Sequence, residues 1–241
     1  MSEKVERLVN ASESLARAMD ELSFSPPVAM TYNVLRHARE GYRAYLQKYG
    51  DESKRILLLG MNPGPWGMVQ TGVPFGEVAA VRDWLKIEVE IGKPSPEHPK
   101  RPVQGFACEK SEVSGRRLWG LFAERFESAK SFFSEHFVMN YCPLVFMEES
   151  GRNLTPDKLP ALEAKPLQVA CDLHLRRVAE ALRPEWVIGV GAYGEERARV
   201  ALGEGFRYGR ILHPSPANPA ANAGWAERAV TQLKEMGAWK K

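Results

Sequence analysis

The chain is short of cysteine, of long apolar runs and of excess charge, and each shortage removes a class of protein. Three cysteines, Cys108, Cys142 and Cys171, stand far apart. Their number and spacing build no disulfide framework, so they read as reduced, mostly buried thiols of an intracellular protein. They are also too few for the four ligands of an iron–sulfur cluster held by one chain. No apolar stretch approaches the ~20 residues of a membrane span, and the N-terminus alternates charge with Leu and Val where a secretion signal would be continuous. Thirty-three Lys+Arg against 30 Asp+Glu leave +3, a balance that permits a polyanionic partner without demanding one. There is no internal repeat and no low-complexity block. No two of the cysteines and five histidines show paired metal-ligand spacing, so neither a metal nor a cofactor is expected.

What remains is an ordinary globular composition, 44% hydrophobic and 26% charged over 241 residues, enough for one continuous core. The expectation is a single domain over 1–241, monomeric, with residues 1–30 forming an N-terminal helix and loop packed on it. Val5, Leu8, Val9, Leu15, Ala18, Met19 and Leu22 recur at helical spacing before Pro26-Pro27 stops them, and a second helical stripe runs over 34–49. Then come four short apolar runs, at 55–60, 137–140, 186–190 and 208–212, of the kind that suits parallel strands buried on both faces. Helical patterns at 78–87, 114–127, 161–182, 192–202 and 218–236 alternate with them. The alternation predicts an α/β fold: a central, four-stranded parallel sheet flanked by helices on both faces. The Pro-rich stretch 92–102 reads as an extended surface loop within that domain.

In an open parallel sheet, ligands bind beyond the carboxyl ends of the strands. Three of the four runs end in polar punctuation. The first leads into Gly60-Met61-Asn62-Pro63-Gly64-Pro65-Trp66-Gly67, the second ends at Asn140, and the fourth at His213 followed by Pro214-Ser215-Pro216-Ala217-Asn218-Pro219. Asn140 carries a donor beside an acceptor on one planar amide, the complement of a pyrimidine edge such as that of uracil. His213 suits an oxygen that becomes anionic as a bond to a base breaks, and Asn62 suits the positioning of a water. Phe75, set among turn residues in Gly72-Val73-Pro74-Phe75-Gly76, reads as an exposed ring on which a base stacks. Arg116 and Arg117, behind Ser114-Gly115 at a helix start, are candidates for phosphate contacts.

The segment from Gly60 to Gly76, together with His213 to Pro219, resembles the single-strand-selective monofunctional uracil-DNA glycosylases of the uracil-DNA glycosylase superfamily. The likeness runs on through Val81-Arg82-Asp83-Trp84-Leu85, Glu112-Val113-Ser114-Gly115-Arg116-Arg117 and Asn140-Tyr141-Cys142-Pro143-Leu144, and so covers most of the chain after about residue 30. The resemblance implies an enzyme that flips uracil out of DNA and hydrolyses its N-glycosidic bond, leaving an abasic site without cutting the strand. It places the catalytic water on Asn62, the departing base on His213, the base edge on Asn140 and the stacking on Phe75. It puts Gly64 and Met68 around the pyrimidine 5-position, where the family commonly admits 5-hydroxymethyluracil and related oxidised bases, and gives Met61 backbone contacts. Ser114, Gly115, Arg116, Arg117 and the loop Pro214, Ser215, Pro216, Ala217, Asn218 would face the DNA. Vertebrate members carry Arg where this chain has Ala217, within the wedge that fills the space left by the flipped base. A preference for single-stranded or mispaired uracil follows. Such an enzyme would work in the cytoplasm on a bacterial nucleoid, or in the nucleus of a eukaryotic cell.

Two rival readings stand beside this one: a catalytically silent binder of damaged or single-stranded DNA, and a hydrolase of free nucleosides. Gly189-Val190-Gly191-Ala192-Tyr193-Gly194 matches the dinucleotide-binding pattern G-x-G-x-x-G. It lacks the acidic residue about 20 positions on that would bind a ribose, so its glycines read as close strand-helix packing. Gly60 to Gly67 likewise lacks the Gly-Lys-Ser/Thr ending of a P-loop.

Overall fold

A computed structural model describes residues 1–240. Among the described residues, seven strands form two sheets: β1 (Met30–Asn33), β2 (Ile56–Gly60), β3 (His136–Asn140), β4 (Leu144–Met147), β5 (Asn153–Leu154), β6 (Trp186–Val190) and β7 (Arg207–Ile211). The larger sheet has the order β3-β2-β6-β7, and every neighbouring pair is parallel. These are the four apolar runs of the sequence. Their continuity has the expected cause: every residue of β2 and β6 is buried, because helices cover both faces.

The second sheet, β1-β4-β5, is antiparallel and was not expected. Its strands are too short to show a period, and β4 follows β3 so closely that the two apolar runs merge. The N-terminal helix, Glu3–Asp20, is capped by the Ser2 hydroxyl and buries Val5, Leu8, Leu15 and Met19 against the long helix Ala161–Leu182. Two of the expected helices are shorter than their patterns. The stretch at 78–87 yields one wide π-helical turn, Ala80–Trp84. The stretch at 218–236 is split into Pro219–Asn222 and Trp225–Glu235 by Gly224 in a left-handed conformation.

Of the three glycines in the G-x-G-x-x-G run, Gly189 and Gly194 are packing residues, while Gly191, at φ 95°, turns the chain against His213. A Cβ on Gly194 would strike the Leu59 carbonyl of β2, and one on Gly189 would strike the Glu195 amide, so helix Ala192–Leu202 lies directly on the sheet. A buried polar network ties this helix to its neighbours. Arg197 donates from Nη2 to both Asp172 oxygens, at 2.7 and 2.6 Å, and from Nε to the Tyr141 hydroxyl, which donates to Asp172 at 2.5 Å. Tyr141 directly follows β3. The network therefore anchors the carboxyl end of that strand to two helices.

Candidate active site

Register brings the polar strand ends together. Gly60 of β2 lies opposite Asn140 of β3, and the pairing continues past both strands as Tyr141 and Cys142 donate to the carbonyls of Gly60 and Met61. His213 follows β7 two residues on. Beyond these ends opens a pocket of about 310 Å³, lined by Met61, Asn62, Gly64, Phe75, Asn140 and His213 among others, at the small end of the roughly 300–1,000 Å³ typical of ligand sites. A larger depression, about 480 Å³, lies by the amino ends of β6 and β7, between Arg183-Pro184 and Phe206.

The hydrogen bonds inside the pocket decide which atoms are free. Asn62 donates from Nδ2 to the Leu144 carbonyl at 3.1 Å, which turns its Oδ1 acceptor away from that bond and leaves it available. His213 accepts at Nδ1 from the Ser215 amide at 3.1 Å. In a neutral ring the proton therefore sits on Nε2, as a donor. Burial holds the His213 pKa down to about 4, so neutral is its state at pH 7. Asn140 has only the Met68 sulfur as partner for Nδ2, at 3.4 Å, and its Oδ1 is buried and unpartnered. The Oδ1 acceptor and one of the two Nδ2 hydrogens are thus unspent.

Phe75 departs from expectation. It is only 6% exposed, with its ring against Gly60, where a Cβ would meet it, and its centroid 6.1 Å from that of His213. Its backbone sits at φ 52°, a left-handed conformation that costs a non-glycine residue about 1–3 kcal/mol. The Trp119 indole donates to its carbonyl at 3.0 Å. The ring is a fixed wall of the pocket in place of an exposed platform.

The residues assigned to the DNA face separate into three groups. Arg116 is exposed, with one bond to Ser111, and Pro216 and Ala217 form the exposed tip of the His213 loop. Ser114 and Ser215 line the pocket itself. Arg117 and Gly115 are occupied within the protein: Arg117 donates to the Pro214 carbonyl and to Asn222, both at 2.9 Å, and Gly115 abuts the Phe75 carbonyl. Arg117 thus holds the His213 loop in place, and Asn218 caps the short helix after it.

Among the described residues, nine buried side-chain polar atoms have no partner, and three of them belong to this pocket: Asn140 Oδ1, Asn153 Oδ1 and Glu112 Oε2. Such a concentration marks a site that a ligand completes. Comparison with known proteins identifies the family. The profile of the uracil DNA glycosylase superfamily matches residues 47–234. The single-strand selective monofunctional uracil-DNA glycosylase of Rattus norvegicus is 47% identical over 222 residues, 91% of this chain and 80% of that protein. The Bos taurus counterpart is 46% identical over 220 residues, 90% of this chain and 81% of that one. The chain belongs to the single-strand-selective monofunctional branch of the uracil-DNA glycosylase superfamily. A solved structure, that of SMUG2 from Pedobacter heparinus, shares the fold with a TM-score of 0.66 at 16% identity, covering 95% of this chain and 99% of that one.

For this glycosylase-family chain, sequence reasoning missed Glu112, Asn153 and Thr155 of the pocket lining and a cation–π cluster on Trp66. Glu112 and Asn153 line the pocket; the first is one carboxylate in a polar stretch, and the second is on the unforeseen strand β5. Farther along the loop that carries Gly64, the Trp66 ring is flanked by two cations, Arg101 at 5.2 Å and Lys110 at 4.1 Å. No local pattern announces that cluster, since the loop returns at 92–110 only in three dimensions.

Proposed function

We propose that the protein is a monofunctional uracil-DNA glycosylase acting on uracil, and on uracils with 5-substituents, flipped out of DNA. The observation that carries this is the pairing of free atoms with chemistry in one pocket: an Asn62 acceptor, a neutral His213 donor and the unspent acceptor and donor of Asn140. Asn140 reads O4 and N3–H of the pyrimidine. Asn62 Oδ1 accepts a hydrogen bond from a water aimed at C1′ of the sugar. The water oxygen bonds to C1′ as the N1–C1′ bond breaks, its electron pair leaves with the base, and a water proton is lost to solvent. His213 Nε2–H donates to the O2 oxygen on which the base's negative charge develops. Such a preorganised donor is worth about 10²–10³ in rate. Neither residue supplies a net charge, so the site works by orientation and by exclusion of water.

Flipping costs a few kcal/mol, less from a mismatch or a single strand. The exposed tip at Pro216 and Ala217 supports a preference for such substrates, because Ala217 has too little side chain to fill the vacated space. Equal rates on single-stranded uracil and a U·A duplex would contradict that preference. On the same reading the enzyme is a cytoplasmic or nuclear monomer without an iron–sulfur cluster; a count of three cysteines, one short of a four-ligand set, supports the last point, and light scattering with iron analysis checks the reading.

The decisive test is base release from a labelled single-stranded oligonucleotide with one uracil, in EDTA, by wild type, His213→Ala and Asn62→Ala. The expected result is release by the wild type and a loss of at least about 10²-fold in each variant. Binding without release by the folded wild type would make the protein a silent binder instead. Release from free deoxyuridine but not from the oligonucleotide would make it a nucleoside hydrolase.

A further inference from the structure

Glu112 precedes helix Val113–Arg125 and caps no amide of it. The Gly-rich loop makes room for its carboxyl: a Cβ on Gly64 would lie 2.5 Å from Oε1, and one on Gly67 would overlap Oε2. The group therefore fills the space that side chains at 64 and 67 would occupy and stands in the pocket wall with Gly64, Phe75 and Asn140. Its Oε2 is buried without a partner.

Among the described residues, no cation pairs with this carboxyl. Its charged neighbour is Glu77, whose oxygens are held by the Ser111 hydroxyl and the Ala80 amide at 3.0 and 2.9 Å. Arg116 is exposed and turned to Ser111 at 2.9 Å, and His213 in the same pocket is neutral. Burial, with Glu77 adding to it, pushes the Glu112 pKa up to about 7. Near neutrality the group is divided between an acid that can donate and an anion that can only accept.

The remaining question is which part of the base it meets. Asn140 takes O4 and N3–H, and His213 takes O2. The edge left over is the C5–C6 hydrocarbon edge, which offers no hydrogen bond. A polar carboxyl is a poor neighbour for that edge and a good one for a hydroxyl attached to it. Resting on the base-site reading above, we infer that Glu112 is a specificity-determining residue, hydrogen-bonding a polar substituent that uracil lacks, such as the hydroxyl of a 5-hydroxymethyl group.

The experiment compares single-turnover excision of uracil and 5-hydroxymethyluracil from otherwise identical single-stranded oligonucleotides by wild type, Glu112→Gln and Glu112→Ala. The readout is the ratio of the two rates. Glu112→Ala lowers the hydroxymethyl-to-uracil ratio about 10-fold, the worth of one hydrogen bond to a buried group, while Glu112→Gln, which still accepts and donates, keeps it. The pH profile separates this role from a structural one. Ionisation leaves an unpaired anion against uracil but a satisfied one against the hydroxyl, so the wild-type ratio rises from pH 6 to pH 8 and that of Glu112→Gln stays flat. Equal losses on both bases in Glu112→Ala, or a ratio indifferent to both substitutions, would overturn the inference while leaving the glycosylase reading intact. A folded wild type that excises neither base defeats both.

Discussion

Acidification from pH 7 to pH 5 should destabilise the fold by about 3 kcal/mol, a figure built from four buried groups. His136, His174 and His213 are each held down to about 4 from 6.5, in every case chiefly by burial. Hydrogen bonding agrees for two of them: His136 Nδ1 faces the Phe132 carbonyl at 3.0 Å while Nε2 accepts from the Trp239 indole at 2.9 Å, and His213 Nδ1 accepts from Ser215. A second proton would break an accepting contact in each. His174 Nδ1 is buried with no partner. In the unfolded chain these rings take up protons near pH 6.5, before the folded ones do, so their contribution is complete above that value and lost as pH falls toward about 4. At pH 5 the loss is about 2 kcal/mol per ring, roughly 6 for the three, with about half a kcal/mol already gone at pH 7. Glu112 opposes this, because its folded value near 7 lies above the ordinary 4.5; protonation over the same interval returns about 2 kcal/mol. The net loss corresponds to a fall in Tm of about 6–12 °C for a chain of this size. Thermal melts by circular dichroism at constant ionic strength measure it, and His174→Leu should remove about a third of what these three rings contribute to the slope, to which His37, also held down by burial, adds in the same direction. A Tm that holds or rises between pH 7 and pH 5, or a slope untouched by His174→Leu, would refute the assignment of buried neutral rings.

Asn140→Asp replaces a donor by an acceptor and should weaken uracil recognition; an unchanged preference for uracil over cytosine in base-release assays would remove Asn140 from that role. Asp172→Ala strands the Arg197 guanidinium in the interior and should cost about 3–5 kcal/mol, read from urea unfolding; a loss below about 0.5 kcal/mol, the ordinary scatter of surface substitutions, would show that the network is not what anchors β3. Lys110→Ala, over the Trp66 ring, should raise the oligonucleotide Kd and reduce the slope of log affinity against log salt by about one phosphate contact, with kcat unchanged. A salt slope equal to wild type would place Lys110 off the DNA path.

The parallel sheet was legible because strands buried on both faces must be apolar throughout, so Leu57, Leu58 and Leu59 declare themselves without partners. Asn62, Asn140 and His213 were legible for a related reason: each breaks an apolar run at its carboxyl end, where an open sheet places its ligand. Glu112 carries no such signal. Its importance arises from a helix start meeting a loop some 45–50 positions earlier in the chain, and a glutamate in Glu109-Lys110-Ser111-Glu112 looks like any solvated charge. Arg117 was legible as a cation but not as a tie, since its partners Pro214 and Asn222 lie about a hundred residues away. Phe75 was placed in the pocket by its motif and misjudged in exposure, because its burial depends on Gly60 lacking a Cβ.

The unforeseen antiparallel sheet also bears on the chemistry. Asn62 has an ambiguous amide until something fixes which end is nitrogen, and the group that fixes it is the carbonyl of Leu144, the first residue of β4. Leu144 is opposite Asn33 in the register of β1 with β4, and Asn33 donates in turn to the Ala16 carbonyl and to Asp20 of the N-terminal helix, at 2.9 and 2.7 Å. The orientation of the Asn62 amide, to which the proposed mechanism gives the water, is therefore set by a chain of contacts leading out of the parallel sheet and into the first 33 residues, whose apolar pattern alone reads as mere packing. A neutral amide has no charge with which to correct its own orientation, so its usefulness depends on that support.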